Sequence, residues 1–222
     1  MQVASSLWHP CAQMKDFEQQ PPLHVKRAEG CYLELDDGRQ ILDTVSSWWC
    51  KSLGYGHPVL RAALIRQANQ LEHCMLGNAT HDAIEQLSSV LTSLMPPLTK
   101  VMYASDGSPV VEIAMKMSLH ARQVLGQKRT RFAALSGAYH GETCGALSVS
   151  DLGKFREPYE SMLMKGVIFV DGIPVVYSRE DPLWNDCATH WEVIQAQLDQ
   201  YADTLTAIIV EPVVQGANHM NI

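Results

Sequence analysis

Five consecutive residues, Ser105-Asp106-Gly107-Ser108-Pro109, carry the strongest chemical signal in the chain. They lie between an apolar run at 100–104 and an amphipathic stretch at 110–125, a pattern that reads as strand, tight turn and helix. Glycine in such a turn lets the backbone approach a ligand closely. Ser108 suits the N-cap and Pro109 the first helical position, where its missing N–H is not needed. The unpaired amides and the positive dipole end of the helix then form an anion site, commonly one for phosphate. Gly-Ser-Pro also caps ordinary helices, so these residues alone leave both readings open.

Other residues have types that could meet a ligand. Tyr139 opens the turn Tyr139-His140-Gly141-Glu142, and its apolar body and polar tip suit either a cap on a sheet or a ring that faces a ligand. The adjacent Trp48 and Trp49 suit either a core or the wall of an apolar pocket, since each buries about 150–250 Å². Glu211 follows an apolar run at 207–210, so it either orients a polar substrate group or simply ends a strand with Pro212. Lys116 offers an amine, but it sits mid-helix, where lysines are surface residues.

These residues need elements to position them. Residues 31–35 alternate, Asp36-Asp37-Gly38-Arg39 is a hairpin turn signal, and 41–45 returns as a strand. Helical spacing follows at Leu60, Leu64, Ala68, Leu71 and Met75, and again at Ile84, Leu87, Leu91 and Leu94, where the Pro96-Pro97 pair ends it. Beyond that point strands at 101–104, 132–135, 167–170 and 207–210 alternate with helices at 110–125, 141–148 and around 191–201. Apolar strands without alternation, separated by helices, predict an α/β fold with a buried, mostly parallel sheet flanked by helices. Ligands bind such sheets at the carboxyl ends of the strands, where Gly107, Tyr139 and Glu211 fall. Few residues follow the last strand, so the large domain reads as incomplete at its C-terminal side.

Charge and composition narrow the function. A net charge of −7 argues against a nucleic-acid partner, and Lys128-Arg129-Thr130-Arg131 reads as a solvated turn. No run approaches the roughly 18–20 apolar residues of a membrane span, and the N-terminus lacks a secretory pattern. Six scattered cysteines without C-x-x-C spacing fit reduced thiols in the cytoplasm. The histidines form no ligand pattern, so no metal is expected.

With these residues in place, the chain resembles the fold-type-I, class-III aminotransferases that use pyridoxal 5′-phosphate. The motifs are Trp8-His9-Pro10, Ser46-Ser47-Trp48-Trp49 with Gly54-Tyr55-Gly56-His57-Pro58, Asp106-Gly107-Ser108 through Lys116, Tyr139-His140-Gly141-Glu142-Thr143, and Ile209 through Ala217 with Glu211-Pro212. The Ser-Ser-Trp-Trp element is similar to the branch of that family that works in biotin biosynthesis. There an amino group passes from S-adenosylmethionine to 7-keto-8-aminopelargonate, giving 7,8-diaminopelargonate.

The resemblance implies that Gly107 and Ser108 hold the cofactor phosphate, that Tyr139 lies against the pyridine ring and borders the substrate, and that Trp48 lines the substrate pocket, with Trp49 left as packing. It implies a homodimer. Residues 1–55 would contribute to the small domain and the active-site entrance, and 56–222 would be the N-terminal part of the cofactor-binding domain. Cys11 stands where the branch has a substrate-contacting tyrosine, and Asn218-His219 where the family has glycines. The family's Schiff-base lysine and the aspartate that pairs with the pyridine nitrogen lie further along than this sequence runs. The chain is therefore expected to be inactive alone. Another class-III ω-aminotransferase and a non-catalytic fragment are the alternatives.

Overall fold

Asp37 closes the hairpin that the sequence announces. Its carboxylate accepts the Arg39 amide at 3.0 Å and the Arg39 Nε–H at 2.7 Å, while Gly38 takes φ +85°. The strands it joins are β2 (Tyr32–Leu35) and β3 (Gln40–Leu42), and β1 (Val25–Glu29) completes an antiparallel meander, with Glu29 opposite Tyr32 and Leu33 opposite Ile41. These elements come from the computed structural model, which describes residues 6–217.

β3 ends at Leu42 rather than running to 45, because Asp43 turns the chain out of the ladder. Its carboxylate accepts the amides of Val45 and Ser47. A single turn, α1 (Ser46–Trp49), follows, and then α2 (Pro58–Gln70) and α3 (Asp82–Leu94). Pro58 opens α2, where no N–H is required. α2 stops five residues before Met75, since Leu71 is already extended. The stripes read from spacing are real but outward: Leu60 is 54% and Leu64 71% exposed, and neither helix has a buried residue. Gly54, at φ +77°, packs so close to Gly30 that a Cβ there would lie 2.8 Å from the Gly30 carbonyl oxygen.

The chain forms two compact units, Met1–Pro96 and Pro97–Ile222. The division falls at the proline pair Pro96-Pro97.

In the second unit β4 (Arg131–Leu135) is the central strand of a parallel sheet ordered β5-β4-β6, with β5 at Ile168–Val170 and β6 at Leu205–Ile209. Phe132, Ala133 and Ala134 are fully buried, as expected of a strand covered on both faces. Phe132 and Ala134 pack with Met115 of α4 (Gly107–Val124) and with Val149, which caps α5 (Cys144–Ser148). Ala133 faces the other way, onto Val170, Leu205 and Ile194 of α6 (Ala188–Asp199). Alternate side chains of one strand thus build two cores.

Residues 101–104, expected as a strand, join no sheet among the described residues. A strand exists only as one side of a hydrogen-bonded ladder, and none of β4, β5 and β6 pairs with this segment.

Candidate functional site

The loop that leaves β4 at its carboxyl end carries Tyr139. Irregular backbone has no ladder to satisfy its donors, so each needs another partner. Side chains from distant segments supply them. Gly137 N donates to Asp151 Oδ2 at 2.9 Å, Tyr139 N to Glu211 Oε2 at 2.7 Å and His140 N to Ser150 Oγ at 2.9 Å. At the start of the loop Gln215 Nε2 donates to the Ser136 carbonyl at 2.9 Å, and Ser136 Oγ donates to Asp171 Oδ1 at 2.6 Å. Asp151 thus holds the loop at Gly137 and Glu211 holds it at Tyr139.

The same loop ends on the first turn of α4. Glu142 N donates to Ser108 Oγ at 3.1 Å, and Gly145 N to Glu112 Oε1 at 2.8 Å. This corrects the expected cap. Asp106, with extended backbone, is the N-cap, and Ser108 lies inside the helix with its hydroxyl turned to the neighbouring loop. Pro109 remains acceptable because the first helical turn has no partners for its amides. Gly141 allows the approach: at φ +131° it carries no Cβ, and one there would run into Ser108 Oγ and Ala146 Cβ.

No side chain caps α4. The Asp106 carboxylate instead accepts the Ser105 hydroxyl at 3.0 Å. An 18-residue helix therefore presents amides and a positive dipole end without an internal acceptor. A Cβ on Gly107 would meet nothing within 4 Å, so the backbone there borders open space. This donor set and opening fit the phosphate of a cofactor, with the half-buried Tyr139 on the adjoining loop available to a flat ring.

Two titratable groups are shifted here. Burial pushes the His140 imidazole below its ordinary value, with the Glu211 charge working against that shift, and its Nε2 is buried without a hydrogen-bond partner. The Thr143 hydroxyl, followed by the Gly145 amide, holds the Glu112 carboxyl below the usual carboxylate range. Among the described residues no cluster of His, Cys, Asp or Glu could hold a metal ion, and no helix is long and apolar enough to cross a membrane.

Of the residues picked from the sequence, Gly107, Ser108, Tyr139 and Glu211 come together in the second unit through the Ser108–Glu142 and Tyr139–Glu211 bonds. Glu211 spends both carboxylate oxygens on backbone amides, those of Tyr139 and Gly216. Lys116 is exposed on α4. Cys11 and Trp48 belong to the first unit. Cys11 is exposed with φ +54°. Trp48 and Trp49 are 62% and 66% exposed on α1, so Trp49 does not serve as core packing. Asn218 and His219 lie outside the described residues. Sequence reasoning missed Asp151, Asp171 and Gln215, although Asp171 directly follows β5 at the ligand edge and could have been found by that position alone.

The family model for aminotransferase class-III matches residues 14–222. Adenosylmethionine-8-amino-7-oxononanoate aminotransferase of Helicobacter pylori is 35% identical over 97% of this chain and 48% of its own length. The enzyme of that name from Synechococcus elongatus is 37% identical over 96% of this chain and 49% of its own. The chain spans about half the length of the curated relatives it matches. Among solved structures, the enzyme of the same name from Methanocaldococcus jannaschii superposes with a TM-score of 0.81 at 30% identity, covering 95% of this chain and 46% of that one. An amine transaminase from an uncultivated Pseudomonas species, solved with PLP bound, gives 0.85 at 27% identity over 99% of this chain and 51% of its own.

Proposed function

We propose that this chain, which belongs to the class-III aminotransferases, holds pyridoxal 5′-phosphate and builds part of the substrate wall of an enzyme of biotin biosynthesis. That enzyme would move an amino group from S-adenosylmethionine to 7-keto-8-aminopelargonate, giving 7,8-diaminopelargonate. The observation that carries the reading is the uncapped start of α4, with Ser108 tied to the Tyr139 loop. Its substrate half is supported by the names of relatives that match nearly the whole chain.

When bound, the cofactor supplies an electron sink for proton removal beside an amine nitrogen. The chain's own groups hold it and shape the site. Gly107 and Ser108 bind the phosphate, the amides at the helix start by charge and hydrogen bonding. Tyr139 would face the cofactor's ring, on a loop that Glu211 and Asp151 keep from shifting. Trp48 gives an apolar wall to the alkyl chain of the amino-ketone, as apolar pocket linings do. Cys11 and Glu211 are the further substrate-facing candidates, Glu211 with its outer lone pairs. The outward apolar stripes of α2 and α3 support a homodimer, since a patch of that kind marks a protein interface. Free thiols throughout the described residues support a cytoplasmic enzyme.

In the full-length protein, Ser108→Ala combined with Gly107→Val should cost about 1.5–3 kcal/mol of cofactor affinity, as the loss of charge-assisted contacts does. A cofactor titration that shows no change rejects the phosphate assignment. Cys11 favours a second reading, an ω-aminotransferase with another donor. Amino transfer from S-adenosylmethionine supports the biotin-pathway reading, and transfer only from a simple ω-amine supports the second.

A further inference from the structure

We infer that Asp43 is a positioning residue: its carboxylate clasps the turn Ser46–Trp49 and so fixes the direction in which Trp48 is presented. The turn is wound in the left-handed sense. Ser46, Ser47, Trp48 and Trp49 have φ of 52°, 51°, 52° and 66°, and ψ at Ser47 and Trp48 is 54° and 51°. L-residues avoid this conformation because Cβ crowds the following carbonyl oxygen, and it occurs as single residues, most often Gly or Asn. Here consecutive residues adopt it, two of them tryptophan. Such strain persists only where the surroundings over-determine it.

Packing does not supply that constraint, since both indoles are more than half exposed. Hydrogen bonds do. The turn's own bonds run from Trp49 N to Val45 O at 3.0 Å, from Cys50 N to Ser47 O at 3.4 Å and from Lys51 N to Ser46 O at 3.1 Å. A right-handed turn would provide bonds of the same kind, so they do not choose the hand. Asp43 does, because it reaches both sides of the entry to the turn. Oδ1 accepts Val45 N at 3.1 Å, and Oδ2 accepts Ser47 N at 2.9 Å and the Tyr55 hydroxyl at 2.7 Å.

Both ends of the clasp are anchored. Asp43 N donates to Cys31 O at 2.9 Å at the end of the meander, and Tyr55 exchanges backbone bonds with Gly30 at 2.7 and 3.1 Å. The Tyr55 hydroxyl, then the turn amides, keep the Asp43 carboxyl below the usual range, and Asp43 in turn raises the Tyr55 hydroxyl. Near neutral pH the acceptor is thus charged and the donor keeps its proton.

The test uses the full-length protein. The near-ultraviolet circular dichroism difference between wild type and Trp48→Phe isolates the signal of the coupled Trp48–Trp49 pair. Asp43→Asn should abolish that pair signal while leaving the melting temperature within a few degrees. Adding Ser46→Gly and Ser47→Gly should restore it in part, because glycine enters the left-handed region without penalty. A retained signal in Asp43→Asn, or a loss that glycine does not repair, overturns the inference. If Asp43→Asn fails to fold, Tyr55→Phe removes one bond of the clasp and must weaken the signal; an unchanged signal is then the refutation.

A kinetic arm rests on the reading of Trp48 as substrate wall. KM for the amino-ketone should rise roughly ten-fold with kcat little changed, the pattern of lost ground-state binding. A lost pair signal with an unchanged KM supports the clasp and removes Trp48 from the substrate wall.

Discussion

The two compact units hold their shapes by different means. In Pro97–Ile222, β4 threads two buried clusters, and the loops at its carboxyl edge are pinned to that sheet by carboxylates, hydroxyls and an amide. In Met1–Pro96, Leu35 is the single buried hydrophobic residue among those described, and geometry rests on a small antiparallel sheet, a glycine approach and the Asp43 clasp. A packed core gives rigid edges, and those suit a phosphate site that must keep donors within hydrogen-bond distance. A unit with few buried side chains opens locally at low cost, and its outward apolar faces are available to other surfaces.

The contrast is broken or upheld most directly by core truncation. Phe132→Ala should cost about 3–5 kcal/mol, the range for removing a fully buried aromatic. Leu35→Ala should fall at or below about 2 kcal/mol, at the foot of the range for buried leucine, because it belongs to neither buried cluster. Urea unfolding measures both, and amide exchange should show β4 and β6 protected longest. An equal or larger cost at Leu35 would mean that the first unit has a core of its own.

Glycines give opposite signs in the two units. Gly141→Ala forces a Cβ onto Ser108 at φ +131° and should destabilise by about 1–3 kcal/mol, as overpacking does. It should also weaken cofactor binding, because the Ser108–Glu142 link must open. Glu211→Ala should cost a similar or smaller amount, about 1–3 kcal/mol, by removing the carboxylate that accepts the Tyr139 and Gly216 amides. Ser46→Gly should instead stabilise the first unit by up to about 1 kcal/mol, since it removes a left-handed penalty from an L-residue. A destabilising Ser46→Gly would show that the turn is not strained.

What the sequence made legible follows the same division. The second unit was readable because burial on both faces leaves continuous apolar runs, and those located β4, β5 and β6 to within a residue or two. Tyr139 and Glu211 followed from their places at strand ends. The strand at 101–104 failed because pairing is a property of two segments, and an apolar run does not state whether its partner is present. The Ser108 cap failed because the hydroxyl is claimed by Glu142, distant in sequence. In the first unit, helical spacing gave α2 and α3, yet their stripes face outward, and periodicity alone does not say what a stripe will meet. The left-handed turn had no signal at all, since neither Ser nor Trp advertises positive φ.

His140 gives the finest probe of the comparison, because it asks whether the second unit's loop is as closed as its bonds suggest. Its imidazole is lowered by burial, and its Nε2 has no partner. In the unfolded chain the same side chain titrates near its ordinary value of about 6.5. Above that value both states are neutral and the group contributes no pH dependence. As pH falls below it, the unfolded chain takes up a proton that the folded chain refuses, so stability declines until the lower folded value is passed. Urea midpoints should therefore fall between about pH 7.5 and about pH 5.5, and His140→Gln should remove part of that slope. Glu211 opposes the shift, so Glu211→Gln, which discharges the neighbour and leaves an oxygen acceptor, should steepen the decline in an otherwise wild-type chain. A wild-type slope that His140→Gln leaves unaltered would mean that water reaches the imidazole. The loop would then owe its position to its hydrogen bonds alone, and the second unit's edge would resemble the first unit more than its core does.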